Sequence, residues 1–565
     1  MTQHERAAST GAGSSMIDAA TVVTAGKPAP QISTPRTGYE SAFPLYAGCV
    51  AVALLYYLLF FNYGIDLDDE GFFIGGASAI LHFGQLPFAD FMSYPPWMYF
   101  SLAGFFHIFG ETLRVERALL ICHLLIGIAC LLWLSRKVLP PPIAVIPVLF
   151  YAVAPGSWYR VFFVFSLLIA AVALFHFNDK PTQRRALLVG VALGVAAITR
   201  VEAALVSLLV FVGSLFVVAF CDLRAGEGIG SVLLRRLANI VVCVVGLAVA
   251  PMVATIPYVM TGKLHALVAN LIRYVNPASY SNGVAGRGLG DMFRPWALVS
   301  DPRLEQWVYA VALAACLALV TINAARLLIS TPEHFLRLRR RILLGAMAIA
   351  SMGETFFFVW NSRMLSTFAI VTLAVIALLN DETAPLLRRS RIAIFAGGCA
   401  VILAVIASFS AAVDYYSGSI TVFRPGIKYR QTIQPFLKGA MIWSPQADTI
   451  DQLYRIAQAH PDATLVPMTY CTTLGYLSNL RNPTYYRLFT TSEMPGKTGQ
   501  QAAISTFERD RVTYFVARRG TFFSTDDPGA VQMVILPLVK SYLLRHYDIR
   551  PLGENYVILV RRGSS

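Results

Sequence analysis

The residues best suited to chemistry form one short run, Asp66-Leu67-Asp68-Asp69-Glu70-Gly71, directly after the first apolar segment. Asp90 and a Tyr94-Pro95-Pro96-Trp97 step follow soon after. Carboxylates are costly to keep beside a bilayer, so four of them at the end of an apolar span are functional candidates by default. One such group can act as general base, taking a proton from an attacking hydroxyl; Asp69, Glu70 and Asp90 are the catalytic candidates. Clustered carboxylate oxygens could also hold a hard divalent cation such as Mg or Mn. A plainer reading makes Asp69 the N-cap of a helix over 70–83 and leaves the other acids solvated near its positive end. One cap leaves three acids unexplained.

Arginines supply the second signal. Guanidinium groups grip phosphate through a planar fork and stay charged at any working pH. Arg117, Arg160, Arg200 and Arg363 fall at the same ends of their spans as the acidic run, and the loop 260–303 adds His265, Arg273, Arg287 and Arg294. Arg117, Arg200, Arg273 and Arg363 are the candidates for a donor phosphate. Asp66, Asp68, Tyr94 and His265 are the candidates for contacts to an acceptor. The competing structural reading pairs Arg200 with Glu202 and Arg117 with Glu116, and makes His107 and His265 ordinary interfacial residues.

The elements that position these groups follow from composition. The chain has 565 residues, 56% hydrophobic and 14% charged, with a mean hydropathy of +0.59. Soluble domains carry about 25% charged residues, so this is an integral membrane protein. The net charge of +14 fits basic cytoplasmic loops better than a nucleic-acid partner. The eight cysteines form no CxxC pair, and seven lie in or beside apolar spans; they read as small buried hydrophobes. Residues 1–42 lack periodicity and read as a disordered cytoplasmic tail, with the first span an uncleaved anchor.

A crossing helix needs about 20 apolar residues. The expected spans are 43–62, 115–134, 141–156, 158–177, 185–200, 202–221, 237–259, 304–324, 342–360, 363–380 and 392–413. The run 96–110 is shorter and follows Pro95-Pro96. If it does not cross, sixteen basic residues, from Arg136/Lys137 to Arg388/Arg389/Arg391, fall on the cytoplasmic side, as the positive-inside rule requires. Counting it as a crossing would turn all of them outward. Residues 70–83 and 96–110 are therefore expected as helices lying at the outer interface, within a first outer loop over 63–114. The transmembrane part is expected over 43–414. From 415 to 565 the chain turns to mixed charge, a helix near 448–459, another near 530–545, and strands at Thr464–Met468, Val512–Ala517 and Tyr556–Val560. That tail reads as a small α/β domain on the outer, periplasmic face.

The order Asp69-Glu70-Gly71, Gly84-Gln85-Leu86-Pro87-Phe88-Ala89-Asp90-Phe91, Tyr94-Pro95-Pro96, Phe109-Gly110 and Arg117 resembles the first outer loop of GT-C fold glycosyltransferases. The kinship lies with the protein O-mannosyltransferase and aminoarabinose transferase superfamily, including its bacterial lipopolysaccharide-modifying branch. The resemblance implies an all-α polytopic fold and an inverting glycosyltransferase. Such an enzyme moves a hexosyl or pentosyl group from a polyprenyl-phosphate donor to an acceptor hydroxyl on a cell-envelope glycan, lipid or protein. It implies that Asp69 activates the acceptor and Asp90 is the second acid of the loop. Arg117, Arg200 and Arg363 then match the phosphate clamp loosely, and Phe91-Met92-Ser93 replaces the basic residue that some relatives carry after the second acid. The setting would be a bacterial inner membrane, with membrane lipids as neighbours and no nucleic-acid partner. The alternative is a transporter or flippase of a lipid-linked sugar, for which charges near the midplane and paired broken helices are the expected marks; here the charges gather at span ends.

Overall fold

The computed structural model describes residues 43–67, 70–91, 93–153, 161–275, 304–356, 361–380, 428–468, 471–486, 489, 493–494, 496–520 and 536–563. The N-terminal tail, Asp68, Asp69, Arg160, Arg287, Arg294, the basic group at 388–391 and the expected span 392–413 lie outside the described residues.

Among the described residues, each expected span up to 363–380 is helical for most of its length. The elements are α1 (Phe43–Phe60), α2 (Glu70–Phe83), α3 (Trp97–Phe109), α4 (Leu113–Val138), α5 (Pro141–Ala144), α6 (Ile146–Val153), α7 (Val161–Asp179), α8 (Gln183–Thr199), α9 (Val201–Arg224), α10 (Ile229–Met260), α11 (Leu264–Val275), α12 (Leu304–Ile329), α13 (Phe335–Phe356) and α14 (Asn361–Leu379). Among the described residues, the segments Leu113–Val138, Val201–Arg224, Ile229–Met260 and Ala310–Ile329 are each long and apolar enough to cross a membrane. With the shorter apolar helices between them, they make this a multi-pass membrane protein.

One expectation needs correction. The span 141–156 is not one helix but two pieces divided at Val145. Three prolines, Pro141, Pro142 and Pro147, remove backbone donors there. The helix over 97–109 packs against α4. Its N-terminal Trp97 indole donates to His123 Nε2 at 3.1 Å and stacks on Phe165, reaching about three turns along α4. Its other end brings Phe106 against Phe436.

Basic side chains gather at one end of the bundle. Asp179 takes Lys137 at 3.1 Å and Arg340 at 2.7 Å, Arg236 pairs with Asp222, and Arg136 lies over the Tyr46 ring. Arg185 and Arg339 donate to the His176 and Asn178 carbonyls at the end of α7, and Arg224 to the Leu327 carbonyl at the end of α12. These bonds satisfy helix-terminal carbonyls that lack a partner within their own helix. The opposite end carries the segment between α1 and α4, where Arg114 Nε donates to Asn62 at 3.0 Å and its Nη2 to the Gly439 carbonyl at 3.3 Å.

The C-terminal part comprises β1 (Tyr429–Arg430), β2 (Ile442–Trp443), α15 (Ser444–Ala459), β3 (Leu465–Pro467), α16 (Thr472–Leu477), α17 (Gly496–Arg509), β4 (Tyr514–Arg518), α18 (Pro537–His546), β5 (Tyr547–Leu552) and β6 (Tyr556–Arg561). Four strands form a sheet in the order β3-β4-β6-β5. β3 runs parallel to β4 with Val466 opposite Phe515, while β6 is antiparallel to both β4 and β5. Val466, Phe515 and Leu559 face one core with Phe507 and Tyr547. Leu465, Val516 and Ile558 face the other, and that core runs on without a break through Phe436 and Leu474 to Phe72, Phe106 and Leu120. Because each fully buried side chain of this size contributes about 1.5–3 kcal/mol, the continuous core locks the sheet region onto the α1–α4 segment.

Candidate active site

The acidic run follows α1 and ends on α2. Glu70 opens α2, and its Oε2 accepts the Asp66 amide at 2.8 Å. Its Oε1 meets Arg117 Nη2 at 2.6 Å. Arg117 projects from the second turn of α4, whose start is fixed by Thr112 capping the Val115 amide. Both members of the pair are sealed, Glu70 at 1% and Arg117 at 1% exposure. The same guanidinium donates to the Gly64 carbonyl at 3.4 Å, so it ties the end of the α1 connection, the run and α4 together. Arg117 thus reaches Glu70 at 2.6 Å, and its charge also bears on the sequence neighbour Glu116 that the structural reading favoured. Glu116 is itself fully buried in the same place.

Gly71 explains itself by close approach. A Cβ there would lie 2.1 Å from Thr473 Cα, a distance no side chain tolerates. The Gly71 amide donates to Thr473 Oγ1 at 2.7 Å, and that hydroxyl donates to the Asp66 carbonyl at 2.6 Å. One threonine of α16 therefore clips both ends of the run. The neighbouring chain adds Met441 N to the Asn62 carbonyl at 2.7 Å and Gly64 N to the Met441 carbonyl at 3.0 Å.

Asp90 sits in the turn between α2 and α3, half-buried. Its Oδ2 accepts the Leu86 amide at 2.7 Å and meets Lys263 Nζ at 2.7 Å. The same turn is pinned by Tyr258, whose hydroxyl donates to the Pro87 carbonyl at 2.9 Å, and by Asn270, which donates to the Phe88 carbonyl at 2.5 Å. Lys263, Tyr258 and Asn270 bracket the α10–α11 corner. Sequence reasoning missed this anchor; Lys263 is the lysine of the short turn joining the two helices, and that isolated charge was the available signal. Tyr94 stacks on Phe73 at 5.6 Å and meets Phe72 edge-on at 5.2 Å, which joins the Asp90 turn to the first turn of α2.

The remaining candidates are more scattered. Arg200 links α8 to α9, with its Nε 3.8 Å from Glu202 Oε2. Arg273 lies in the last turn of α11 and Arg363 in the first turn of α14. His265 is exposed in the first turn of α11. The structure thus brings Asp66, Glu70 and Arg117 into one cluster, and Asp90 with Lys263 into a second beside it. Among the described residues, no three His, Cys, Asp or Glu side chains form a metal-holding group.

No family model matches the chain, and no curated protein matches it. Solved structures do. The crystal structure of ArnT from Cupriavidus metallidurans bound to undecaprenyl phosphate aligns over 92% of this chain and 98% of its own, at 14% identity and a TM-score of 0.51. The Archaeoglobus fulgidus oligosaccharyltransferase in complex with Zn and sulfate aligns over 90% of this chain and 72% of its own, at 13% identity and a TM-score of 0.49. A membrane bundle with a long first connection, capped by a small mixed sheet, is an ArnT-like GT-C fold, and that is the fold of this chain.

Proposed function

We propose that this protein is an inverting membrane glycosyltransferase that moves a sugar from a polyprenyl-phosphate donor to an acceptor hydroxyl at the bundle end carrying the acidic run. The observation that carries this reading is the fold likeness over nearly the whole length of ArnT, in a chain whose DEG, Asp90 and PP signatures fall in the α1–α4 connection. Asp69 is the general base that removes the acceptor proton. It stands next to Glu70, whose ion pair with Arg117 fixes the backbone on its C-terminal side. Asp90 orients the acceptor, with Lys263 setting its position. Arg200, Arg273 and Arg363 are the cations for the leaving phosphate, which as fixed charges would stabilise it without reorganising. Arg117 serves by positioning the run, since its guanidinium is buried against Glu70. In this reading the basic end of the bundle faces the cytoplasm, as the positive-inside rule favours, and the site and residues 415–565 lie on the periplasmic side of a bacterial inner membrane.

Purified protein in lipid nanodiscs, given undecaprenyl-phosphate-linked hexose or pentose and an envelope extract as acceptor, should release undecaprenyl phosphate. Asp69→Asn should insert and fold normally but release none. Undiminished release from that variant would remove the assignment.

A further inference from the structure

A cavity of about 510 Å³ opens between α2 and the C-terminal part. Its inner wall is Ala79, Phe436, Pro467 and Gly475, and its mouth is edged by the exposed His82, Asn479 and Arg481. Some of its polar lining is already committed. Glu111 accepts from the Tyr476 hydroxyl at 2.7 Å and pairs with His82 at 2.7 Å. The Gln434 carboxamide is spent on the Leu477 carbonyl and the Phe436 amide. Four lining side chains are not committed: among the described residues, Ser78, Gln85, Asn479 and Arg481 make no side-chain hydrogen bond or ion pair.

We infer that this cavity binds a glycan bearing an acidic group. The volume falls within the range of small-ligand sites. A hydroxyl and two carboxamides, each both donor and acceptor, match the alternating donors and acceptors of a sugar ring. The Phe436 and Tyr476 rings supply apolar surface for its C–H face. Glu111 already has Tyr476 and His82 for partners, so the uncommitted charge at the mouth is the Arg481 guanidinium, which recognises a carboxylate in a forked, charge-assisted arrangement. The cavity lining also includes Gly71, the last residue of the acidic run, so a glycan held here would lie against the start of α2. This inference does not rest on sugar transfer, because binding is measured with no donor present.

Saturation-transfer NMR tests it, using the full chain in lipid nanodiscs free of sugar-based detergent. The probes are the disaccharide of glucuronate and glucose, and neutral cellobiose. Saturation should pass to the ring protons of the acidic disaccharide, with cellobiose about tenfold weaker, the factor expected for a charge-assisted hydrogen bond. Ser78→Trp, which fills the cavity, should abolish the signal. Asn479→Gly should weaken it while keeping the fold, since Asn479 has φ of 59° and glycine adopts that conformation freely. Arg481→Ala should erase the preference for the acid. No transfer to either probe at millimolar concentration, or signals unchanged in both Ser78→Trp and Asn479→Gly, would overturn the assignment. Equal signals from the two probes in the wild type would overturn its acidic element.

Discussion

Glu70 Oε1 and Arg117 Nη2 meet at 2.6 Å with both side chains shut away from solvent. The pair joins residues 47 positions apart, and the helices that carry them, α2 and α4, bracket everything between them. Removing one partner leaves the other charged and buried, which costs about 3–5 kcal/mol. Arg117→Ala and Glu70→Ala should each lower the unfolding temperature sharply in detergent, read by intrinsic fluorescence. The double variant Glu70→Leu/Arg117→Met should recover most of that loss, because an apolar pair of similar volume replaces a desolvated ionic one. A double variant as unstable as the singles would show that the pair does more than neutralise itself.

Gly71→Ala tests close approach. With its new methyl 2.1 Å from Thr473 Cα, α2 and α16 must part. Overpacking of this kind costs about 1–3 kcal/mol. Hydrogen exchange at residues 472–477 should quicken while the distant Asp179 end of the bundle stays protected.

Asp90 and Lys263 are both partly exposed, so their ion pair should contribute only about 1 kcal/mol or less. Lys263→Met should leave the unfolding temperature nearly unchanged. Asp90→Asn should likewise spare stability but cut sugar transfer by about 100-fold, the scale at which a misplaced reactant is felt. A parallel fall in stability and activity would assign Asp90 a purely structural part.

Alkaline pH should loosen the C-terminal part from its neighbours. Burial raises the Tyr476 phenol well above its ordinary range, and the Glu111 carboxylate raises it further. Burial also lifts Tyr514, Tyr542 and Tyr547 in the sheet core. The folded form of each holds its proton where the unfolded form, with a pKa of about 10, has lost it. The unfolded state therefore binds fewer protons, and stability falls as pH rises above about 10. Below that pH the tyrosines contribute no pH dependence. Unfolding temperature measured from pH 7 to 11 should stay level and then drop, with a smaller drop in Tyr476→Phe.

Much of this was legible in the residues. The helix over 70–83 was set by its apolar run and the acidic start, and it spans Glu70–Phe83. The strands near 464, 514 and 556 followed from short runs rich in β-branched and aromatic residues, and each forms part of the sheet. β5 stayed hidden because Asp548, Arg550 and Pro551 break any alternating pattern. The ion pair of Glu70 with Arg117 was out of reach because sequence proximity pointed to Glu116, and only the folded chain brings the start of α2 to the same guanidinium. Thr473 was unreadable for the same reason. A lone hydroxyl some 400 positions from the residues it holds leaves no local trace.

That hydroxyl, shared between the Asp66 carbonyl and the Gly71 amide, makes the last quarter of the polypeptide a working part of the bend between α1 and α2. Severing the chain ahead of Lys428 would not trim an ornament. It would strip the acidic bend of its splint, leave two backbone polar groups to find water instead, and uncover Phe72 and Phe106. A shortened protein should reach the membrane with its bundle intact and its acids unmoored.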